Sequence, residues 1–295
     1  MRFIKGRRLL FFIALALAAS AGGRIAFGAQ VTAEEFFKLI YGEATGEVQR
    51  AIRNGADVNM VHEVDSVPTT PLLHAIKFSR HEVARILIAG GADVEQKGNM
   101  DVTPLVYAVM QASFDRLKAT GRVTNPVFDE LYNKFAMDII DLLILNGADV
   151  NRLSSFSGTK TLTTPLEVAA GGVDDDRVLV IAAKLLDAGA DPSPKIDAEH
   201  PSSPLFSALG AAATIKGARR GELVRMLLKA GADPDAALPD GTTPLHVAVM
   251  IDSSYVKLLL AAGADKMARD GRGRTAYGIA WRRFKIGSVW ALAFH

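Results

Sequence analysis

A Gly-Ala-Asp triplet occurs six times in this chain of 295 residues, with its aspartates at Asp57, Asp93, Asp149, Asp191, Asp233 and Asp265. Between the copies lies a second recurring element, Thr/Ser-Pro-Leu, followed by small apolar residues. It reads Thr70-Pro71-Leu72, Thr103-Pro104-Leu105, Thr164-Pro165-Leu166, Ser203-Pro204-Leu205 and Thr243-Pro244-Leu245, and a degenerate Thr275-Ala276-Tyr277 closes the series. From Asp93 to Pro104, from Asp233 to Pro244 and from Asp265 to Ala276 the spacing is 11 residues each time. Two interleaved elements at near-constant spacing make the chain an array of similar units, a stronger constraint on the fold than any compositional figure.

One unit shows the physics. In Thr243-Pro244-Leu245-His246-Val247-Ala248-Val249 the threonine can cap a helix, and proline at the first helical position loses no needed N–H. Ala248 is small enough for a neighbouring helix to approach closely. A second helix is expected from about Ser254 to Ala261, with Val256, Leu258, Leu259 and Leu260 on its buried side. Gly263 then falls where a helix ends in left-handed geometry, and Ala264-Asp265 begins an extended link to the next unit. No unit of this kind can bury its apolar face alone, so stability must come from stacking on neighbours.

At Thr-Pro-Leu-His (243–246) and the two Gly-Ala-Asp-Val-Asn runs (55–59 and 147–151) the chain resembles the ankyrin-repeat family. The resemblance covers about residues 30–295. It implies an all-α repeat solenoid of helix–turn–helix units with hairpin-like connections, about six to seven units in one domain over 29–295. Inner helices and hairpin tips would form a concave face and outer helices a convex one. The family also implies a protein-binding module without chemistry of its own. The first unit (about Thr32 to Asn59) lacks Thr-Pro-Leu and the last has Ala276 for proline. Both departures suit terminal units whose outer faces meet water.

The units are unequal. Pro71 to Asp93 spans 22 residues, whereas Pro104 to Asp149 spans 45, Pro165 to Asp191 26 and Pro204 to Asp233 29. The extra length lies in the helices or helix–helix loops, away from the hairpin tips. The largest insertion, around 111–133, is expected to be helical: Asn125 caps, Pro126 begins the helix, and Val127, Leu131, Phe135 and Ile139 repeat at every fourth position. It is either a self-packed spur or a contact for a partner or a homodimer. Asp149 to Pro165 is also long, at 16 residues, and carries Phe156 among Ser and Gly. Phe156 either anchors a partner or folds back on the neighbouring finger.

The N-terminus has a different character. Arg2, Lys5, Arg7 and Arg8 precede an apolar run from Leu9 to Ala19, and small residues follow at Ala19-Ser20-Ala21 and Ala26-Phe27-Gly28. This is the layout of a secretory signal peptide, residues 1–28, with cleavage at either site, the first of them after residue 21. The alternative is a retained anchor, but the charge-free stretch is shorter than the roughly 20 residues that span a bilayer. Export to the periplasm is expected, or else secretion, with no stable membrane span after cleavage.

Composition excludes several chemistries. With no cysteine there is no disulfide, thiol nucleophile or Cys-held metal. The six histidines form no His-Glu-x-x-His, and there is no Gly-x-Ser-x-Gly elbow, phosphate loop or dinucleotide fingerprint. Catalytic, cofactor and metal residues are therefore expected to be none, and His246 is read as a structural hydrogen-bonder. Asp174-Asp175-Asp176 is read as a solvated cluster before a helix beginning near Arg177.

Five of the 34 basic residues lie in 1–28, leaving 29 against 32 acids, so the net charge of +2 does not argue for nucleic acid. Residues 266–285 run the other way, with seven basic residues and one acid, Asp270. An anionic partner or membrane surface is one reading there, and a solubilising cap face the other.

The expected function is a non-enzymatic module that binds a protein through its concave face and hairpin tips. The family register places Lys97, Asn99, Met110 and Gln111 there in one unit, and Asp240, Thr242, Met250 and Ile251 in another. Phe156 projects between them, and Arg269, Arg272 and Arg282 lie on the same side in the last unit. A more specific form is a periplasmic inhibitor or immunity protein that occludes a toxic enzyme. The reading outside binding is an enzyme that uses the long insertion as an active-site wall.

Overall fold

A computed structural model describes residues 31–98, 101–113, 137–155, 161–172, 175–214, 219–283 and 285–294. The signal-like segment, residues 114–136 of the insertion, Asn99 and Phe156 lie outside the described residues.

Seven helix pairs follow one another among the described residues. They are α1 (Ala33–Tyr41) with α2 (Thr45–Arg53), α3 (Pro71–Lys77) with α4 (His81–Ala89), and α5 (Pro104–Ser113) with helical residues 137–145. Then come α6 (Pro165–Ala170) with α7 (Asp175–Asp187), α8 (Pro204–Thr214) with α9 (Arg220–Lys229), α10 (Pro244–Ile251) with α11 (Ser253–Ala261), and α12 (Ala276–Arg282) with α13 (Ile286–Phe294). Two antiparallel hairpins, β1 (His62–Val64) with β2 (Val67–Thr69) and β3 (Ser154–Ser155) with β4 (Leu162–Thr163), shape two of the connections. In the first, Asp65 and Ser66 both have positive φ, the backbone a two-residue hairpin turn requires.

The recurring residues set the helix boundaries. Pro71, Pro104, Pro165, Pro204 and Pro244 each open a helix. The preceding hydroxyls of Thr70, Thr103, Thr164 and Ser203 accept the backbone N–H three residues on, as Thr275 does for Gly278. All six Gly-Ala-Asp glycines have φ between 86° and 103°, so each second helix ends where an L side chain would be strained. The first helix lacks the opening proline, and Thr32 and Glu35 form a reciprocal capping box there, as Thr164 and Glu167 do at α6.

First helices form one row and second helices another, each packed on its partner and on the corresponding helix of the next unit. One continuous apolar core runs from Phe36 to Leu292. In α11, Val256 and Leu259 are buried, but Leu258 and Leu260 are half-buried, so the buried stripe is narrower than the sequence suggested.

The elongated units are tied by charge. α7 begins at Asp175, two residues before the expected start, and Asp176 pairs with Arg219 of the next unit. Arg220 is fully buried and donates to the carbonyls of Ala170 and Gly172 at the end of α6, where a helix dipole favours a cation.

Two positions in the first helices carry the inter-unit seam. Two residues after each cap stand Leu72, Leu105, Leu166, Leu205 and Leu245; six residues after it stand Ile76, Val109, Ala170, Leu209 and Val249. All ten are essentially inaccessible. In the last unit the same positions are Tyr277 and Trp281, 43% and 66% exposed.

Candidate protein-binding surface

The fingers between units are locked to one another by a row of hydrogen bonds. In each Gly-Ala-Asp copy the Asp carboxylate accepts the N–H two residues on, at Asn59, Glu95, Asn151, Ser193, Asp235 and Met267. The side-chain oxygen of that second residue then accepts the Asp N–H of the following copy. The pairs are Asn59 with Asp93 (2.7 Å), Glu95 with Asp149 (2.8 Å), Asn151 with Asp191 (2.7 Å), Ser193 with Asp233 (3.1 Å) and Asp235 with Asp265 (2.8 Å). Asn59 and Asn151 add a bond from their amide nitrogens to the Gly91 and Gly189 carbonyls. The row ends at Met267, which has no such oxygen.

A second set of ties lies behind the fingers. His246 Nδ1 accepts the Thr243 N–H (3.2 Å), so its proton sits on Nε2, which donates to the Arg274 carbonyl in the next finger (2.9 Å). The structural role expected for His246 is thus what its bonds show. Glu167 holds the equivalent place in the fourth unit. Its carboxylate accepts the Thr164 N–H (2.8 Å) and meets His200 Nε2 of the next finger (2.7 Å), both side chains being buried. His200 Nδ1 lies 3.1 Å from the Lys195 carbonyl, which can only accept, so that nitrogen carries a proton.

The expected binding residues divide by environment. Asp240, Arg269, Arg272 and Arg282 are exposed; Lys97, Met110, Thr242, Met250 and Ile251 are half-buried. Gln111 does not reach the surface. It is buried, and its amide donates to the Lys77 carbonyl (3.2 Å), joining the second and third units. Lys97 is paired with Asp101 at 3.0 Å, and this bond holds the Asp101 carboxyl below its usual range. Asp240 is also held low, chiefly by the Thr242 N–H, and its carbonyl accepts from Gly271 of the next finger at 2.7 Å. A Cβ at position 271 would stand 2.6 Å from that carbonyl oxygen, so the two fingers meet at a distance only glycine permits.

Arg269 donates to the Gly273 carbonyl (2.7 Å) within its own finger, whereas Arg282 ends α12 at the other end of the unit. Among the 266–285 charges, Arg274 is spent on Asp270, whose carboxyl it draws down to about 2.

Sequence reasoning missed Asn59, Glu95, Asn151, Ser193 and Asp235. Their common signal is an acceptor oxygen two residues after every repeated Asp but the last, across four residue types.

Among the described residues no group of His, Asp and Glu is placed to hold a metal ion, and no helix is long and apolar enough to cross a membrane. A shallow groove between α2 and α4 is lined by Ile52, Ile86 and flanking charges. What the geometry offers is a row of fingers held in fixed register, with half-buried apolar side chains further along the first helices.

The profile of the ankyrin repeats matches residues 40–119, 181–270 and 209–293. The chain belongs to the ankyrin-repeat family. It is 48% identical over 60 residues, 20% of its length, to an ankyrin repeat and LEM domain-containing protein 1 homolog of Caenorhabditis elegans. It is 38% identical over 97 residues, 32% of its length, to the E3 ubiquitin-protein ligase KEG of Arabidopsis thaliana. The matched segments span 8% and 6% of those two relatives.

Among solved ankyrin structures, a domain from Acinetobacter baumannii aligns with TM-score 0.60 and 23% identity, over 78% of this chain and 98% of that one. The human ASB11 ankyrin domain aligns with TM-score 0.59 and 19% identity, over 88% and 96%. Bcl-3, described as a member of the IkappaB protein family, gives 0.59 and 19%, over 88% and 97%. These structures share the fold of this ankyrin stack, whose repeats form a protein–protein interaction module.

Proposed function

We propose that this ankyrin protein acts in the bacterial envelope, in the periplasm, as a non-enzymatic module that grips one protein partner with its finger tips and concave face. The observation that carries the reading is the finger row. Five side-chain-to-backbone bonds hold successive tips in fixed register, so a partner docking on them orders little that is not already ordered. Lys97, Asp240 and Thr242 stand on the fingers, and half-buried Met110, Met250 and Ile251 follow further along the first helices α5 and α10, so this side offers both polar and apolar side chains. The envelope assignment rests on the N-terminal sequence, whose basic start, apolar run and small-residue sites suit export.

Affinity capture from the native envelope, followed by mass spectrometry, tests the binding. One partner is expected with the wild-type chain, lost with Asp240→Lys and Thr242→Arg and kept with Trp281→Ala. A partner indifferent to both tip changes would refute this use of the fingers. Intact mass of the envelope-derived protein tests export: a mature start near Gly22 or Ala29 is expected, and a membrane-embedded species retaining Met1 would refute it.

A further inference from the structure

The end of the stack formed by α12 and α13 is built unlike every seam before it. The two first-helix positions that are inaccessible leucine, valine, isoleucine or alanine in five units are Tyr277 and Trp281 here, with parallel rings 6.4 Å apart and open to solvent. Trp281 lies next to the end of α12 and Ile286, 67% exposed, opens α13. Both therefore sit at the same end of this helix pair. Between them stand exposed Arg282 and Arg283 and half-buried Lys285, whose charge acts on exposed Asp252 at the start of α11. Every exposed described side chain from 277 to 293 is aromatic, aliphatic or cationic. The unit that should shield the stack from water instead offers large apolar side chains set among positive charges.

We propose that this end is a peripheral docking surface for an anionic phospholipid membrane. Tryptophan and tyrosine place an apolar ring and a polar edge at the depth of lipid headgroups, and arginine and lysine beside them meet the negative surface. A lipid surface asks for no complementary shape, which suits a narrow turn bearing three cations and two large apolar side chains. A protein partner would need about one hydrogen bond per 100–200 Å². The exposed residues of 277–293 include no acid, amide or aliphatic hydroxyl with which to make them, and the acid nearest to them, Asp252, faces Lys285.

A second copy fits poorly. A two-fold contact through this face would set Arg282, Arg283 and Lys285 against a second set of the same charges. A further unit stacked in register would bring its finger N–H to Met267, where the oxygen acceptor of every earlier finger is missing. The surface is separate from the finger tips, so it and the protein-binding role stand or fall independently.

The chain's only two tryptophans, Trp281 and Trp290, both lie on this last helix pair, which makes intrinsic fluorescence a local reporter. The signal-like segment contains none, so its own affinity for lipid does not enter the signal. The experiment adds the full chain to vesicles of phosphatidylcholine alone, or of phosphatidylcholine and phosphatidylglycerol in about equal parts, and includes lipid brominated on the acyl chain.

The expected result is emission that moves to shorter wavelength and is quenched by brominated lipid on the anionic vesicles only. Reversing the three charges (Arg282→Glu, Arg283→Glu, Lys285→Glu) should weaken that partition by at least about a hundredfold at low salt, since each cation lost is worth about fivefold. Trp290→Phe should leave the remaining Trp281 signal still shifting. No shift on anionic vesicles, or a shift that survives the charge reversal, would overturn the proposal. So would a shift driven by a polyglutamate peptide and not by vesicles, which would assign the face to an acidic protein, or by protein concentration alone, which would assign it to self-association.

Discussion

Aromatic side chains gather at the two ends of this stack and meet opposite fates. At the first seam Phe37 of α1 and His74 of α3 are both buried, with ring centroids 5.1 Å apart and edge to face. Phe78 stands against His74 at 4.8 Å and against Tyr41 at 4.8 Å. At the last unit Tyr277 and Trp281 stack on each other and, among the described residues, stay 43% and 66% exposed. Residue type does not separate the two ends, since both are rich in rings. What differs is the neighbour: the first pair of helices has a second pair laid over it, and the last has a free face. Burial in a solenoid is a property of the seam, decided by the next unit as much as by the residue.

The comparison is tested hardest by removing a ring from the covered end. Phe37→Ala should cost roughly 3–5 kcal/mol, the usual range for a buried phenylalanine truncated to alanine. Because each unit contacts only its neighbours, the loss should appear first as faster amide exchange in α1 and α2, with a lowered denaturation midpoint behind it. Unchanged exchange in α1 would mean that the first seam is not held by this ring cluster.

Acid should attack the same end. His74 is buried with no hydrogen bond to either ring nitrogen, and burial, aided by Lys77 and opposed by Asp65, pushes its pKa down to about 4 from an ordinary 6.5. The folded state therefore holds fewer protons than the unfolded one between those values. Stability contributed by the neutral imidazole is intact above about pH 6.5 and drains as pH falls towards about 4, by up to about 3 kcal/mol. Denaturant midpoints taken across that window, wild type against His74→Phe, isolate the effect. A variant with the same pH slope as wild type would remove His74 from the account.

How much of this was legible in the sequence varies by residue. The caps at Thr70 and Thr164, the helix-opening prolines and the left-handed glycines were all readable, because each is a local backbone requirement met by one or two residue types. The finger row was not, because what repeats at Asn59, Glu95, Asn151, Ser193 and Asp235 is an oxygen atom rather than a residue. Gln111 looked available as a polar residue on a binding face, yet its amide is taken by the carbonyl of Lys77, 34 positions away in sequence. The exposed Tyr277 and Trp281 occupy core positions of the repeat, so periodicity alone marks them as buried.

Glycine offers a smaller test, at a position where seam packing plays no part. Gly231 has φ of 103°, and a Cβ there would meet nothing within 4 Å. Gly231→Ala therefore isolates backbone strain and should cost about 1 kcal/mol, seen as a modest drop in denaturation midpoint. A cost several times larger would show that the space around this helix end is tighter than its geometry indicates.

The smallest expected effect is at the open end, and it is the most direct check on the contrast. Val249 and Trp281 occupy the same place in successive units, the first with no exposed surface and the second 66% exposed. Val249→Ala removes two methyl groups from a closed seam and should cost on the order of 1–2 kcal/mol. Trp281→Ala removes a far larger side chain and should still change stability by less than about 0.5 kcal/mol, because most of that ring is in water in the folded protein. If the tryptophan change destabilised the chain as much as the valine change, the ring would have to be covered in solution. The terminal face would then be a closed seam like the others, and the surface assigned to lipid would not exist.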